Sequence, residues 1–355
     1  MPISKINVHS SFLRGFTVLV LSLCAFYGYA RSEKYVDDMD TIGVEAWNGA
    51  VKGYNWFEHI FNNYDTTYVK PVPGRFKVKL YTNNWLENYR LNFTEGGHMN
   101  LRSDIVTNIG LELSYWIVSL SYEMNLNKYY DGYERHQKRF NLGLHTALIN
   151  FDVFVENNDL TALMTSFNTP VIIYPGQVRF DGVKTDRWGI EAYYFLNNRH
   201  YSQPAAFDYT RLQTRSQGSF YFGMAYRDQK YRFDFSTLPS EITGNLPEEL
   251  ENYTYQAHTH DFFLIPGYGF NWVLGKHWMI AISESPFIGF RTGRVNIIEK
   301  NRFNLTNLIR VGGVYNLRRF FAGLQGSLYT NLTKDPEIAM WGNILKTELS
   351  VGYRF

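Results

Sequence analysis

Three short constellations in this sequence carry side chains that can do chemistry. His200-Tyr201-Ser202 sets an imidazole two residues from a hydroxyl. Nucleophilic catalysis needs such a pair within hydrogen-bond reach, a third group to orient the imidazole, and an oxyanion site. The bland reading of this segment is a turn with a solvated His. His258-Thr259-His260-Asp261 is the second. On a strand, a period of two puts both imidazoles on one face, a spacing that can ligate zinc. No third or fourth ligand stands nearby in sequence, and hydrogen-bonded rim histidines are the default. Pro247-Glu248-Glu249-Leu250-Glu251 is the third. Its acids suit calcium or bridged lipid headgroups, but a solvated loop helix opened by Pro247 is the simpler reading. The chain has no phosphate-binding Gly loop, no dinucleotide fingerprint, no HExxH and one Cys. No catalytic, cofactor-binding or metal site is therefore expected.

A larger set of charges gains meaning only through the elements that carry it. Composition narrows those elements first. Of 355 residues, 45% are hydrophobic, 19% charged and 17% aromatic, with 27 Tyr, 27 Phe and 8 Trp. The net charge of +2 argues against nucleic-acid binding through a strong basic field. A mean hydropathy of −0.30 rules out a bundle of membrane helices. A Tyr- and Phe-rich β protein is what remains.

The first thirty residues read as a secretory signal. Lys5 and Arg14 precede an apolar run from Phe16 to Phe26, and Gly28-Tyr29-Ala30 offers small residues for cleavage after Ala30. The run is too short to span a bilayer. Cys24 lies within it behind Leu23, which is not the small residue that lipidation requires. The mature chain is then free of cysteine and has left the cytoplasm.

Beyond that segment, alternation dominates. In 343–355, Leu345, Thr347, Leu349, Val351, Tyr353 and Phe355 share one face, while Lys346, Glu348, Ser350, Gly352 and Arg354 share the other. Similar patterns occupy 105–115, 116–125, 139–146, 149–156, 187–196 and 219–227. They are weaker over 76–83, 262–274, 277–290, 305–316 and 319–331, where Glu284 and Pro286 suggest a bulge or an early strand end. Tyr89–Phe93 offers a further short strand. The expected fold is an all-β transmembrane antiparallel up-and-down barrel of about twelve strands. With the first strand running outward, connections near 115/116, 147/148, 197–216, 274–276 and 317 fall on the periplasmic side. Those near 84–103, 126–137, 158–184, 229–258, 291–304 and 332–342 fall outside and are longer. The twenty-residue connection at 197–216 is the exception.

That alternation turns fourteen ionisable groups toward the lumen. Lys77, Lys79, Arg139, Arg187, Arg227, Arg310, Lys346 and Arg354 are the cations; Glu112, Glu123, Asp152, Glu156, Glu191 and Glu348 are the anions. Dry, such groups must pair; wet, they set selectivity. Gly110, Gly143, Gly189, Gly223, Gly313, Gly323 and Gly352 are read as facing the same way and leaving room. Twelve strands lie between filled eight-stranded barrels and open sixteen-stranded porins, and a packed or plugged lumen is preferred to an open pore.

Residues 31–74 precede the barrel of 75–355. Asp37, Asp38 and Asp40 make their start acidic, and 44–61 reads as a short helix weakened by Gly49 and Gly53. It suits a cap on the periplasmic mouth or a linker on the rim. YDTTYVKP at 64–71, RFKVKLYTNNW at 75–85, GLELSYWIVSLSYEMN at 110–125, KRFNLGLH at 138–145 and the 195–223 region together resemble a Bacteroidota outer-membrane family, domain of unknown function 4421. The resemblance implies an outer-membrane barrel and transfers no catalytic residues. Twelve-stranded outer-membrane phospholipases also space a His and a Ser by two, but there an Asn-Gly follows the Ser, whereas Gln203-Pro204 follows here.

The expected protein is an integral outer-membrane barrel of a Gram-negative bacterium, with both termini periplasmic. Its expected role is non-catalytic: structural, small-solute transport-like or surface-docking. The rival is an outer-membrane enzyme acting on lipid or cell-envelope substrate. Its partners are outer-membrane lipids and the barrel-assembly machinery, the latter reading Tyr353 and Phe355 at the carboxyl end. No cofactor or nucleic acid is expected, and no external partner is specified.

Overall fold

The computed structural model describes residues 41–93, 96–129, 137–168, 173–174, 178–237, 254–295, 298–334 and 338–355. The signal segment, Asp37, Asp38, Asp40 and the acids of 247–251 lie outside the described residues. Chain contacts divide the protein into two units, 1–59 and 60–355. The described part of the first is most of a helix, α1 (Thr41–Phe61). It bears exposed Val51, Tyr54 and Trp56. No described helix is long and apolar enough to cross a membrane.

The second unit is a barrel. A short strand β1 (Val69–Pro71) precedes β2 (Phe76–Phe93), β3 (His98–Ser103), β4 (Val106–Tyr115), β5 (Val118–Asn125), β6 (Gln137–His145) and β7 (Ile149–Asn168). Then come β8 (Ile173–Tyr174), β9 (Val178–Phe195), a short helix α2 (Gln203–Phe207), β10 (Arg211–Gln213) and β11 (Gln217–Asp234). The last five are β12 (Thr254–Leu274), β13 (Trp278–Val295), β14 (Ile298–Leu317), β15 (Phe320–Lys334) and β16 (Ile338–Arg354). Twelve antiparallel strands close the circuit β2-β4-β5-β6-β7-β9-β11-β12-β13-β14-β15-β16, and β16 pairs back onto β2 from Ile338↔Phe93 to Arg354↔Lys77. Closure joins the first and last strands of the circuit, so it has no edge strand. The end that carries the two-residue turns 116–117 and 318–319 and Phe355 is called near here; the other is far.

The circuit changes along its height. β4, β5 and β6 have only 10, 8 and 9 residues. Above them β3 bridges the gap, pairing Asn88–Asn92 of β2 with 98–102 and Ala162–Asn168 of β7 with 98–103. The far half therefore closes through β2, β3, β7, β9 and β11 to β16, ten strands in all.

Several sequence-based boundaries are corrected. The stretch 84–103 is not a loop: β2 runs to Phe93, so YRLNF is its upper end, and β3 follows. The far-side stretches 158–184, 291–304 and 332–342 are mostly strand as well, and 229–258 is strand at both its ends, 229–234 and 254–258. Only residues 296–297 separate β13 from β14. Above the apolar belt the outward face turns polar while apolar residues such as Leu91, Met99 and Leu101 are buried inside, so the sequence loses its apolar-out alternation while the backbone ladder continues. The expected bulge at Glu284 and Pro286 does not shift the register: the β13–β14 ladder runs unbroken from Trp278↔Tyr315 to Val295↔Ile298, while pairing with β12 lapses around Pro286, between Leu264↔Ile288 and Tyr268↔Glu284. Gly313 does not face inward: Val314 is fully buried, so the inward positions of β14 are even-numbered, Gly312 among them.

The outward face is an apolar belt between two aromatic rows. Trp278↔Tyr315 and Phe320↔Tyr353 mark the near row. Tyr226↔Phe262, Phe262↔Phe290 and Phe290↔Phe303 mark the far row. Leu264, Ile280, Ile282, Ile288, Leu305, Leu324, Leu345 and Leu349 are exposed between them. Across one residue pair beyond the far row, Asp228 faces His260 and Thr292 faces Asn301, so the belt ends abruptly.

Candidate functional site: a plugged, charged lumen

The near end of the bore is filled by the connection between β9 and β11. The sequence predicts a long connection on the side of the short turns; it folds inward instead. β10 pairs with β1 from Val69↔Gln213 to Pro71↔Arg211, a two-stranded sheet that ties the incoming chain to the insert. Between β9 and β10, Tyr201, Ser202, Ala205, Ala206, Phe207 and Tyr209 are buried. Tyr201 packs with Tyr193, Phe195, Tyr221, Phe263, Ile265 and Phe287 of the wall. Ala205, Ala206, Phe207 and Tyr209 pack with Met279, Ala281, Val314 and Phe321.

Polar contacts fix the plug from many strands. The Arg354 guanidinium donates to the Tyr209 carbonyl (3.0 Å) and the Asn316 side chain (2.8 Å). Gln325 donates to the Phe207 carbonyl (2.9 Å) and the Tyr209 hydroxyl (2.7 Å). Asn271 donates to the Ser202 carbonyl at 2.9 Å. The Lys77 ammonium donates to the Asp208 carbonyl. The Asp208 carboxylate meets His145 Nδ1 at 2.8 Å, while His145 Nε2 meets Asp152 at 3.0 Å. With a carboxylate oxygen on each ring nitrogen, this arrangement fits an imidazolium that donates twice. Arg310 lies over the Phe207 ring, 4.7 Å from its centre.

The His200–Ser202 pair is thereby assigned a structural part. Ser202 caps α2, its hydroxyl accepting from the Ala205 amide at 3.3 Å, with Pro204 in the first turn. That hydroxyl also lies 3.3 Å from the Tyr64 phenol. At 1% exposure no substrate reaches it. His200 turns away, its Nδ1 on Asn197 at 3.0 Å and its ring against Tyr68, 4.5 Å between centres. Its Nε2 lies 3.5 Å from Asp65. The Thr67 hydroxyl (2.7 Å) and amide (2.8 Å) both donate to Asp65 and hold its carboxyl below the usual carboxylate range.

Above the plug lies a cavity of about 330 Å³. Lys79, Glu112, Glu123, Arg139, Asp152, Glu156, Arg187, Glu191, Arg227, Arg310, Lys346 and Glu348 line it. Lys77 and Arg354 lie apart from this lining, against the plug. The charges form local groups. Glu112 takes Lys77 at 2.6 Å and Lys79 at 2.8 Å, and Lys79 reaches Glu348 at 3.1 Å. Arg187 pairs with Glu156 at 2.8 Å, and Arg227 with Glu191 at 2.7 Å. Glu123 accepts from Tyr81 and Asn83, each at 3.1 Å. Lys346 lies 4.0 Å over the Trp85 ring.

Farther on the bore closes again. Asp261 takes Arg291 at 2.6 and 2.9 Å, and Gln229 donates to the same carboxylate. Glu87, Leu91, Met99, Leu101, Met164, Val183 and Phe233 are buried on this side. Neither Glu87 nor the Asp261–Arg291 pair is legible in the alternation, because Glu87 and Arg291 fall in stretches expected as loop and Asp261 just precedes the strand expected from 262. Asp208 is not legible either, because a charge in a connection carries no alternation. The one available signal was the length of 197–216 among otherwise tight turns.

Tyr353 and Phe355 point outward at the near end, their rings 4.8 Å apart, with Phe76 5.6 Å from Phe355. The histidines of 258–260 also face outward, and β11 brings Asp228 to them.

Comparison with solved structures returns barrels of low sequence identity. The translocator domain of the autotransporter NalP from Neisseria meningitidis aligns with a TM-score of 0.38 and 9% identity, covering 88% of this chain and 98% of that one. The β domain of the Bordetella autotransporter BrkA gives 0.35 and 10%, covering 78% and 99%. OmpT, an outer membrane protein of Vibrio cholerae, gives 0.30 and 6%, covering 77% and 97%. No curated protein matches the chain. A family match covers residues 63–355, from the turn before β1 through the last strand. By that match the chain belongs to the family described as Domain of unknown function (DUF4421).

Proposed function

We propose that this protein is an integral outer-membrane β-barrel that neither catalyses nor conducts, and that works as a membrane-held platform through its surfaces. The observation that carries this reading is a bore filled twice within an apolar exterior. Twelve residues separate Trp278 of the near aromatic row from Phe290 of the far row. At ~3.3 Å per residue and a tilt of ~40°, that is about 30 Å, close to the ~25 Å apolar band of outer-membrane barrels. A belt of this height meets hydrocarbon, and aromatic rows suit its two interfaces. The near end, with its tight turns and Phe355, is the periplasmic end, so both termini lie there. Tyr353 and Phe355 then serve as the terminal pattern read by the assembly machinery, and the neighbours in the belt are outer-membrane lipids. The fourteen inward charges serve to hold the barrel around its plug.

A second reading has one observation in its favour. The charged cavity of about 330 Å³ is large enough for water and small ions, so a small-solute conduit gated by the plug is the competitor. Planar-bilayer recording separates the two. The sealed platform gives no steps above baseline from the purified protein at ±100 mV. The conduit gives steps whose size or ion preference changes with Glu123→Ala or Arg139→Ala, and such steps would overturn the sealed reading. An enzyme acting on lipid is disfavoured at Ser202, which is buried as a helix cap.

A further inference from the structure

We infer that the outer wall carries a divalent transition-metal site, suited to zinc, built from Asp228 of β11 and His258 and His260 of β12. Sequence offered only the two imidazoles, two residues apart on one strand face. The β11–β12 register supplies the third ligand. Asp228 sits opposite His260, and His258 lies one outward position farther along.

The donor atoms of all three lie within 4.8 Å of one another. His258 Nε2 is 3.0 Å from Asp228 Oδ2, and His260 Nδ1 is 3.2 Å from the same oxygen. The two imidazole centres are 4.8 Å apart. Tetrahedral zinc with bonds of ~2.0–2.1 Å to nitrogen and oxygen separates its ligand atoms by about 3.3 Å, so both Asp228–imidazole spacings already fit, and the two imidazole nitrogens need to close by at most about 1.5 Å from the 4.8 Å limit. The Tyr226 phenol oxygen, 2.9 Å from His260 Nδ1, borders the fourth position. Two neutral imidazoles and one carboxylate are a borderline donor set, which selects zinc over calcium or magnesium.

The surroundings are compatible with a cation. Asp228 is nearly buried, its side chain 13% exposed, while the imidazoles are 45% and 36% exposed. A recessed carboxylate with exposed imidazoles above it lets an ion enter from the surface. Lys230 and Arg294 are the nearby cations by register, Lys230 facing His258 from β11 and Arg294 facing it from β13; Asp186 faces Lys230. The site stands one position beyond the Tyr226–Phe262 pair that ends the apolar belt. It also stands at the root of the 235–253 connection. Zinc there would staple the two strands that carry this connection at the edge of the belt.

The test uses full-length protein without an affinity tag, folded in detergent micelles and stripped with a chelator. Titration with zinc chloride, read by calorimetry and by metal analysis after dialysis, should give one ion per barrel. Loss of a second-shell partner costs ~10–100-fold in metal affinity; His258→Ala and His260→Ala each remove a ligand and should cost at least about that. Asp228→Asn should weaken binding as well, and His277→Ala, at the opposite end, should not. X-ray absorption of the loaded protein should report nitrogen and oxygen neighbours with no sulfur. Slower migration after boiling verifies folding of each variant. No binding by the parent protein, or binding equal in parent and His258→Ala, overturns the site.

Discussion

At the scale of single residues, the lumen shows what a buried charge demands. Glu112 pairs with Lys77 and is one of two carboxylates that meet Lys79 among the described residues. Both ammoniums are almost fully buried, and the Glu112 side chain is 11% exposed. Removing one member of such a group leaves charge without compensation, at a cost of ~3–5 kcal/mol. Glu112→Gln is therefore expected to lower stability by about 3 kcal/mol, measured by reversible urea unfolding into lipid vesicles. A change below about 1 kcal/mol would mean that water already solvates these ammoniums. Position decides the sign of such effects. Glu284, also a glutamate, is exposed on the outside of β13 and accepts from Asn307 at 3.2 Å, so neutralising it strands no buried cation.

At the scale of elements, the plug and the wall were made to fit each other through small residues. Gly323 faces Tyr209, and a Cβ there would overlap the phenol oxygen. Gly269 makes the same allowance for Tyr201. Forced overpacking costs ~1–3 kcal/mol where side chains cannot move. Gly323→Val is expected to dislodge the Tyr209 end of the plug while the strand ladder stays closed. Thermolysin should then nick the variant between Ser202 and Gln213 and leave the parent intact; an uncut variant would mean that the insert repacks. The relay through β3 is a second fitted element. Short β4, β5 and β6 cannot carry the circuit to the far end, and β3 takes their place with pairing to both β2 and β7.

At the scale of the whole molecule, the apolar belt outweighs every other surface feature. Leu, Ile, Val and Phe side chains stand exposed around the wall, many of them above 40%. A soluble protein rarely leaves such a contiguous patch uncovered. The protein is expected to stay with membranes through carbonate and high-salt washes and to leave only in detergent, followed by immunoblot of the fractions. Recovery of folded protein in the carbonate supernatant would reverse the assignment of inside and outside.

The sequence by itself determined the strand period, the twelve-member count and which face of a recognised strand its ionisable residues share. These follow from a two-residue repeat between hydrocarbon-like and water-like faces, a contrast written directly in residue types. It also placed both His258 and His260 on one face. Tertiary structure alone decided what fills the bore. The plug is a connection without periodicity, and its partners, from Lys77 to Arg354, are scattered over most of the chain. Strand ends beyond the belt were hidden for a related reason, since the outward face there is no longer apolar and hydrogen-bond pairing leaves no mark on composition. The third group beside the two histidines came from register, which depends on how neighbouring strands slide past one another and not on the residues of either strand taken alone.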